Sequence, residues 1–336
     1  MLNRRIRWIG FGALFFSAGV LIGASLWAQD QEKTFSADSF RIRDPYILAD
    51  ESTGTYYLYA QSKNRAKSRY FGVEVYTSRD LEQWSGPTCV LRLPDSMKIL
   101  TVWAPEVHRF GDAYYLFVTL TFDETVSTPA PFAEHWPPMY RRGTWCYRAA
   151  SPSGPFEPVK EGPLTPDDEM ALDGTLWVEE DVPYMVYCHE WVQLVDGTID
   201  YVRLRPDLSA AEGEPVTILK ASSAPGAITD PKSGKVTDGP FLYKSEKSGA
   251  LFMIWSTILP NRGGYSVLLA RSESGKLAGP WSESTELFTD DGGHGMIFRD
   301  LNGTLRLAIH QPNAGAGKER LRLFELIDDG VLRLAD

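Results

Sequence analysis

Beyond residue 40 the chain carries short apolar runs that come in pairs separated by turns rich in Gly, Asp or Asn. Five such pairs stand out: DPYILADESTGTYYLYAQS from Asp44, PEVHRFGDAYYLFVTLT from Pro105, DGTLWVEEDVPYMVYCHE from Asp173, DGPFLYKSEKSGALFMIWST from Asp238 and HGMIFRDLNGTLRLAIHQP from His294. Each predicts a hairpin. A third apolar run follows most of them, as in VEVYTSRDLEQWSGP and YSVLLARSESGKLAGPW, so each unit supplies about four strands, with the fifth truncated. Helical periodicity is nearly absent. Four-stranded antiparallel units that cannot bury their own faces must stack, and radial stacking leaves only short, protected edges. The expectation is an all-β, five-bladed β-propeller formed by residues 29 to 336 as one domain. In that fold the openings of the five units converge on one axial funnel, bringing Asp44, Asp173, Asp238 and His294 together.

The first residues read differently. Arg4, Arg5 and Arg7 precede an apolar run that ends in small residues at Ala28, as in an export signal, and residues 1 to 28 are expected to be removed. The competing reading is an uncleaved anchor over residues 8 to 27, long enough to span a bilayer. Either way the chain is exported, to a periplasm or to the exterior. Its net charge is −10, and loss of the leader's three arginines makes the remainder more acidic still. Such a balance argues against nucleic acid and anionic membranes as partners. Cys89, Cys146 and Cys188 are too few and too far apart for a disulfide framework or a zinc site, and read as buried small residues. No phosphate-binding loop, serine elbow or His-Glu zinc motif occurs, so nucleotide cofactors and serine or zinc chemistry have no support.

Carboxylates gathered in an apolar, aromatic funnel repel one another and lose water, which keeps one of them protonated near neutral pH. A protonated acid facing an ionised base is the equipment that breaks a glycosidic bond. An Asp before Gly or Pro also shapes turns, so the inference rests on three of them at repeat openings rather than on any one.

The motifs IRDPYIL, VWAPEVHRFGDAYYLF, LDGTLWVEEDVPYMVY, TDGPFLYK and GGHGMIFRD together resemble, in order and spacing, the blade openings of the family 43 glycoside hydrolases over nearly all of the chain after the leader. That resemblance implies an inverting glycosidase acting on oligo- or polysaccharides that carry arabinofuranose, xylose or galactofuranose, with no cofactor required. It implies that Asp44 is the general base, that Asp173 tunes the acid and orients the sugar, and that Asp238 stands where the family's general acid stands. There the pattern departs, because the family carries Glu. Asp238 acting from a closer approach, Glu190 in YCHEW acting instead, and a carbohydrate-binding propeller without turnover are the three consequences. The resemblance also implies that His294 lies beneath the sugar and helps to hold a calcium or sodium ion.

Three further residues complete the expected site. Trp103 offers a flat face to a sugar or a filling for the core; Glu106 bonds a hydroxyl or a backbone amide; and Arg299 reaches a sugar hydroxyl or pairs in the neighbourhood of Asp300. His310 is read as structural. The insertion over residues 121 to 143, rich in Pro and aromatics, is expected to wall one side of the funnel and favour release of terminal sugars. Endo-acting cleavage of arabinan is the alternative.

Overall fold

The structure is a computed structural model that describes residues 34–62, 71–126, 131–132 and 136–335. The expected leader lies outside these residues, as does part of the 121 to 143 insertion. Five antiparallel sheets form a five-bladed β-propeller. Blade 1 runs from the axis outward through Tyr46–Asp50, Thr55–Gln61, Phe71–Ser78 and Gln83–Leu93, and adds Thr34–Ser36 at its outer edge. Blade 2 consists of Ile99–Phe110, Ala113–Thr125, Tyr140–Ala149 and Glu157–Pro158. Blades 3, 4 and 5 have inner strands Ala171–Glu179, Asp238–Lys244 and Gly293–Arg299. Blade 5 completes its own four strands with Leu332–Leu334, so the fifth unit is not truncated.

The apolar runs have their physical reason in the packing: each sheet buries both faces against its neighbours, so successive residues of Thr55–Gln61 and Leu251–Leu259 are buried. One cluster joins blades 1, 2 and 5 through Tyr59, Val107, Leu116, Met296 and Ala308. Blades 2 and 3 share Phe117, Cys146, Met185 and Tyr187. Blades 3 and 4 meet at Val186, Cys188, Met253 and Trp255, and blades 4 and 5 at Ile254, Val267, Leu307 and Ile309. Truncating a fully buried side chain such as Leu116 to Ala is expected to cost about 2–5 kcal/mol. Cys146 and Cys188 are buried small residues as expected, but Cys89 is exposed, because its strand is the fourth of its blade and no further sheet covers it there.

Among the described residues no strand is exchanged between the first and last blades; the ring is closed by a strap ahead of blade 1. The Ile42 N–H donates to the Glu319 carbonyl at 3.2 Å, and Arg41 makes two 2.9 Å bonds to the Glu319 carboxylate. Those bonds hold the Glu319 carboxyl down at about 2, the Arg41 hydrogen bond being the main cause. The strap ends at Asp44, so ring closure also delivers that side chain to the axis.

Candidate active site

The four inner strands of blades 2 to 5 share one irregularity. Pairing with the second strand skips two residues on the inner strand against one on its partner: Ala104 and Pro105, Asp173 and Gly174, Gly239 and Pro240, His294 and Gly295. These are β-bulges, and they re-aim the chain where it leaves the axis. The first bulge residue is left-handed in every case, with φ of 44° at Ala104, 57° at Asp173, 50° at Gly239 and 49° at His294. Asp44, with φ of 51° just ahead of Tyr46–Asp50, occupies the same place in blade 1. Asp44, Asp173 and His294 are therefore equivalent. Asp238 is not: it sits one residue earlier, in step with Trp103 and Leu172, and the left-handed place in its blade belongs to Gly239.

A left-handed backbone leaves an amide to be satisfied, and the preceding blade does so in four cases. The N–H groups of Asp173, His294 and Asp44 donate to Thr119 Oγ1 at 2.8 Å, Ser256 Oγ at 2.8 Å and His310 Nδ1 at 3.2 Å. The three acceptors are themselves equivalent, each facing the residue ahead of a bulge. In blade 3 that position is Cys188, and the Gly239 N–H instead donates to Asp173 Oδ2 at 3.0 Å. One oxygen of Asp173 is thus committed to holding the strand that carries Asp238.

A cleft of about 680 Å³ opens over these bulges and is lined by Asp44, Asp173, Asp238, Glu190, Trp103 and His294, among others. Burial pushes the Asp44 carboxyl up, but His294 and Arg43, at 3.5 Å and 3.6 Å from Oδ1, outweigh it and hold the group below its ordinary value. His310 Nδ1 lies 3.4 Å from the same oxygen, yet it accepts the Asp44 N–H while Nε2 faces Asn313 Oδ1 at 3.2 Å. Burial pushes the imidazole down to about 4, so His310 is neutral near pH 7 and aligns Asp44 without pairing with it. Asp173 is driven well above the usual carboxylate range by burial first and by Asp44 second. Asp238, partly exposed on the cleft floor, is raised to about 8 by desolvation first and Asp173 second, although His294 and the Tyr265 hydroxyl pull the other way. That hydroxyl donates to Asp238 Oδ2 at 2.9 Å, leaving Oδ1 to carry a proton.

Glu190 is held differently. It opens the one-turn helix Trp191–Leu194 and is ion-paired to Arg142, whose guanidinium also lies 4.7 Å over the Trp103 ring. Burial raises the Glu190 carboxyl and Arg142 opposes that rise. Trp103 is half-buried and faces the cleft, with one ring face covered by Arg142.

Two expected site residues are placed elsewhere. Glu106 is buried behind the bulge against His108 Nε2 at 3.0 Å, because it points into the interface between blades rather than into the cleft. Arg299 ends its strand, five residues beyond His294 at about 3.3 Å each, and bonds Glu246 at 2.9 Å and the Gly303 carbonyl at 2.8 Å. His294 Nδ1 faces Asp44 at 3.5 Å and Asp173 at 3.7 Å. Among the described residues the ligand atoms gathered tightly enough for one ion are those of Glu169, His189 and Asp200, not those around His294. The described part of the 121 to 143 insertion docks on the helix beside Glu190: the Trp136 indole donates to the Val192 carbonyl at 2.6 Å and packs edge-on to Trp191, which lines the cleft. Sequence reasoning missed Arg142 and Tyr265 altogether, since their partners are distant in the chain. Arg43 stands inside IRDPYIL beside its partner Asp44, yet sequence reasoning assigns it no role.

The chain matches the sequence profile of "Glycosyl hydrolases family 43" over residues 39–327. An endo-arabinase from Bacteroides thetaiotaomicron superposes with a TM-score of 0.72 at 34% identity, covering 88% of this chain and 98% of that one. An α-L-arabinofuranosidase from Lactobacillus brevis gives a TM-score of 0.65 at 18% identity over 89% of this chain and 97% of its own, a likeness of fold. A probable arabinan endo-1,5-alpha-L-arabinosidase A of Aspergillus flavus is 24% identical over 290 residues, 82% of this chain and 76% of the relative.

Proposed function

The chain belongs to glycosyl hydrolase family 43, and from that membership we propose that it hydrolyses α-L-arabinofuranosyl linkages with inversion at the anomeric carbon. It is a glycosidase, and its substrates are oligo- or polysaccharides. The observation that carries the mechanism is the opposite displacement of two cleft-lining carboxyls, Asp44 downward and Asp238 up to about 8. Near neutral pH Asp44 is ionised and takes a proton from the attacking water. Asp238 holds a proton and gives it to the leaving oxygen. Asp173 keeps the acid's strand in place through the Gly239 amide and, by proximity, favours the protonated form of Asp238. Glu190 is the weaker candidate for the acid, since its charge is engaged by Arg142 and a proton on it would break that pair. No step is assigned to an ion at His294.

Arabinose as the sugar is supported by the names of the similar proteins. Release of terminal units is supported by the Trp136 and Trp191 wall, which closes one side of the cleft. Endo-action is the second reading, favoured by the 34% identical endo-arabinase. Incubation with arabinofuranosyl, xylosyl and galactofuranosyl aryl glycosides, followed by linear 1,5-arabinan, tests both. Arabinose alone from the polymer supports terminal release, a ladder of oligosaccharides supports endo-action, and no product from any substrate leaves a carbohydrate-binding propeller. NMR of the first-formed anomer checks inversion. Export through residues 1 to 28 belongs to the same proposal, and N-terminal sequencing of the exported protein checks it. Among the described residues no helix is long and apolar enough to cross a membrane.

A further inference from the structure

Behind the cleft wall that carries Glu190, three side chains of blade 3 turn toward one point. Glu169 precedes the inner strand, His189 ends the second strand Val182–His189, and Asp200 lies in the third, Thr198–Leu204; their ligand atoms all lie within 4.8 Å of one another. Gln193 orients the imidazole there. Gln193 Nε2 donates to the Asp168 carbonyl at 2.8 Å and Gln193 Oε1 accepts the Met170 N–H at 2.7 Å, so the amide has one orientation. The same Oε1 lies 2.7 Å from His189 Nε2, which therefore donates to it. His189 Nδ1 faces Glu169 Oε2, 3.8 Å away.

Asp200 completes the group. Its side chain is 4% exposed; Oδ2 accepts from Thr198 Oγ1 at 2.9 Å, whereas Oδ1 is buried with no hydrogen-bond partner among the described residues. The Tyr187 hydroxyl donates to Glu169 Oε2 at 3.0 Å. A buried carboxylate oxygen without a donor is destabilising, and native structures rarely leave one so. Three potential ligand side chains thus converge, with one carboxylate oxygen among them unpartnered.

We propose that Glu169, His189 and Asp200 bind one divalent cation of the zinc or manganese class, at a site separate from the catalytic carboxylates. An imidazole with two carboxylates suits those metals better than calcium or magnesium, which prefer oxygen alone. Ligand atoms held around one zinc ion at about 2.0–2.2 Å stand roughly 3–4 Å apart, the range into which the Nδ1 to Oε2 separation falls. The hydrogen bond from His189 Nε2 to Gln193 is the outer partner that orients a ligating imidazole. His189 directly precedes Glu190, and the Glu190 N–H donates to the Met170 carbonyl at 2.9 Å, so the ion would clamp the base of the cleft wall.

The test uses the full chain, dialysed against EDTA and then titrated with zinc or manganese chloride alone by calorimetry, with thermal unfolding followed in parallel. The expected result is one saturable site per chain and a Tm that rises with metal and falls again with chelator. Asp200→Asn keeps the acceptor for Thr198 and is expected to weaken binding on the order of 100-fold; Gln193→Ala, which leaves all three ligands in place, is expected to weaken it about 10–100-fold. Absence of saturable binding to the wild-type chain, or affinity unchanged in both variants, overturns the proposal.

Discussion

Blades 1, 3 and 5 differ from blades 2 and 4 at one backbone position. All five openings bear a left-handed residue at the axis, but it is Asp44, Asp173 or His294 in the first group and Ala104 or Gly239 in the second. Chemistry in blades 1, 3 and 5 hangs from the strained residue itself. In blades 2 and 4 the cleft is served by the residue before it, Trp103 or Asp238. A left-handed non-glycine residue costs about 1–2 kcal/mol. The fold bears that cost at four of its five openings, and in three the side chain so placed lines the cleft. The contrast shows that the propeller's repeat fixes where the backbone turns, while the side chain that acts is taken from that position or from the one before it.

The largest effect is expected where the strained residue is itself the base. Asp44→Asn retains the shape and the amide bond to His310 but loses the group that deprotonates water, and kcat/KM on arabinan is expected to fall about 10²–10⁴-fold with Tm little changed. Equal loss on an activated aryl arabinofuranoside is expected, because water attack is needed whatever the leaving group. A variant retaining wild-type rates would remove Asp44 from the mechanism.

Asp238→Asn ranks second, since leaving-group protonation matters less as the leaving group improves. On natural glycan a loss of about 10²–10³-fold is expected, with aryl glycosides largely spared. The pH profile separates this acid from Glu190. In the wild type kcat/KM is expected to be level near neutrality, to fall as pH rises through about 8 when Asp238 releases its proton, and to fall on the acid side only below the ordinary Asp range, where Asp44 is protonated. In Asp238→Asn the alkaline limb disappears. Stability moves with it. Asp238 is raised in the folded state, so between the unfolded value near 3.8 and about 8 the folded chain holds a proton that the unfolded chain has released. Stability therefore drops across that window, and urea titrations should show Asp238→Asn gaining on the wild type by on the order of 1–3 kcal/mol, given the partial exposure of the group.

How much of this contrast the sequence discloses depends on which physical rule writes it. Apolar strand runs and turn residues are local, so five hairpins at intervals and the convergence of their openings can be read directly. The bulge is not local: Asp-Gly, Gly-Pro and His-Gly look alike as turn signals, and only the pairing skip shows that Asp238 is offset from Asp44 and Asp173. Arg299 looked close to His294 because it is close in sequence, yet an extended strand carries it outward. Tyr265 and Arg142 reach the cleft from third strands, and His310 from a second strand; no repeat opening points to them. Likewise the bare thiol of Cys188, where other blades present Thr119, Ser256 or His310, explains why Asp173 must hold the Gly239 amide only once the strands are paired.

The glycine in blade 4 can be tested directly. A Cβ on Gly239 would stand 2.9 Å from His294 Cδ2 and 3.2 Å from its Cα, and φ of 50° is unfavourable to Ala in any case. Gly239→Ala is expected to lose about 1–3 kcal/mol of stability by urea unfolding and to slow turnover, because it pushes on His294 and loosens the amide that Asp173 holds. Unaltered stability would mean that the bulge yields easily and that close approach of blades 4 and 5 is not what requires glycine.

The smallest effect is expected at Ala104, and its sign is the informative part. Ala104 occupies the same left-handed place, is buried and contributes only a methyl group. Replacing it with Gly removes the steric conflict of φ at 44° but enlarges the unfolded ensemble and deletes a little packing, so relief and loss nearly cancel. A net gain of about 0.5–1 kcal/mol with kcat/KM unchanged is expected if strain at the openings is a requirement of the fold that blade 2 satisfies without using it. A fall in kcat/KM at unchanged stability would instead mean that the methyl group fixes Trp103, the residue just before it, and that blade 2 uses its strained position after all.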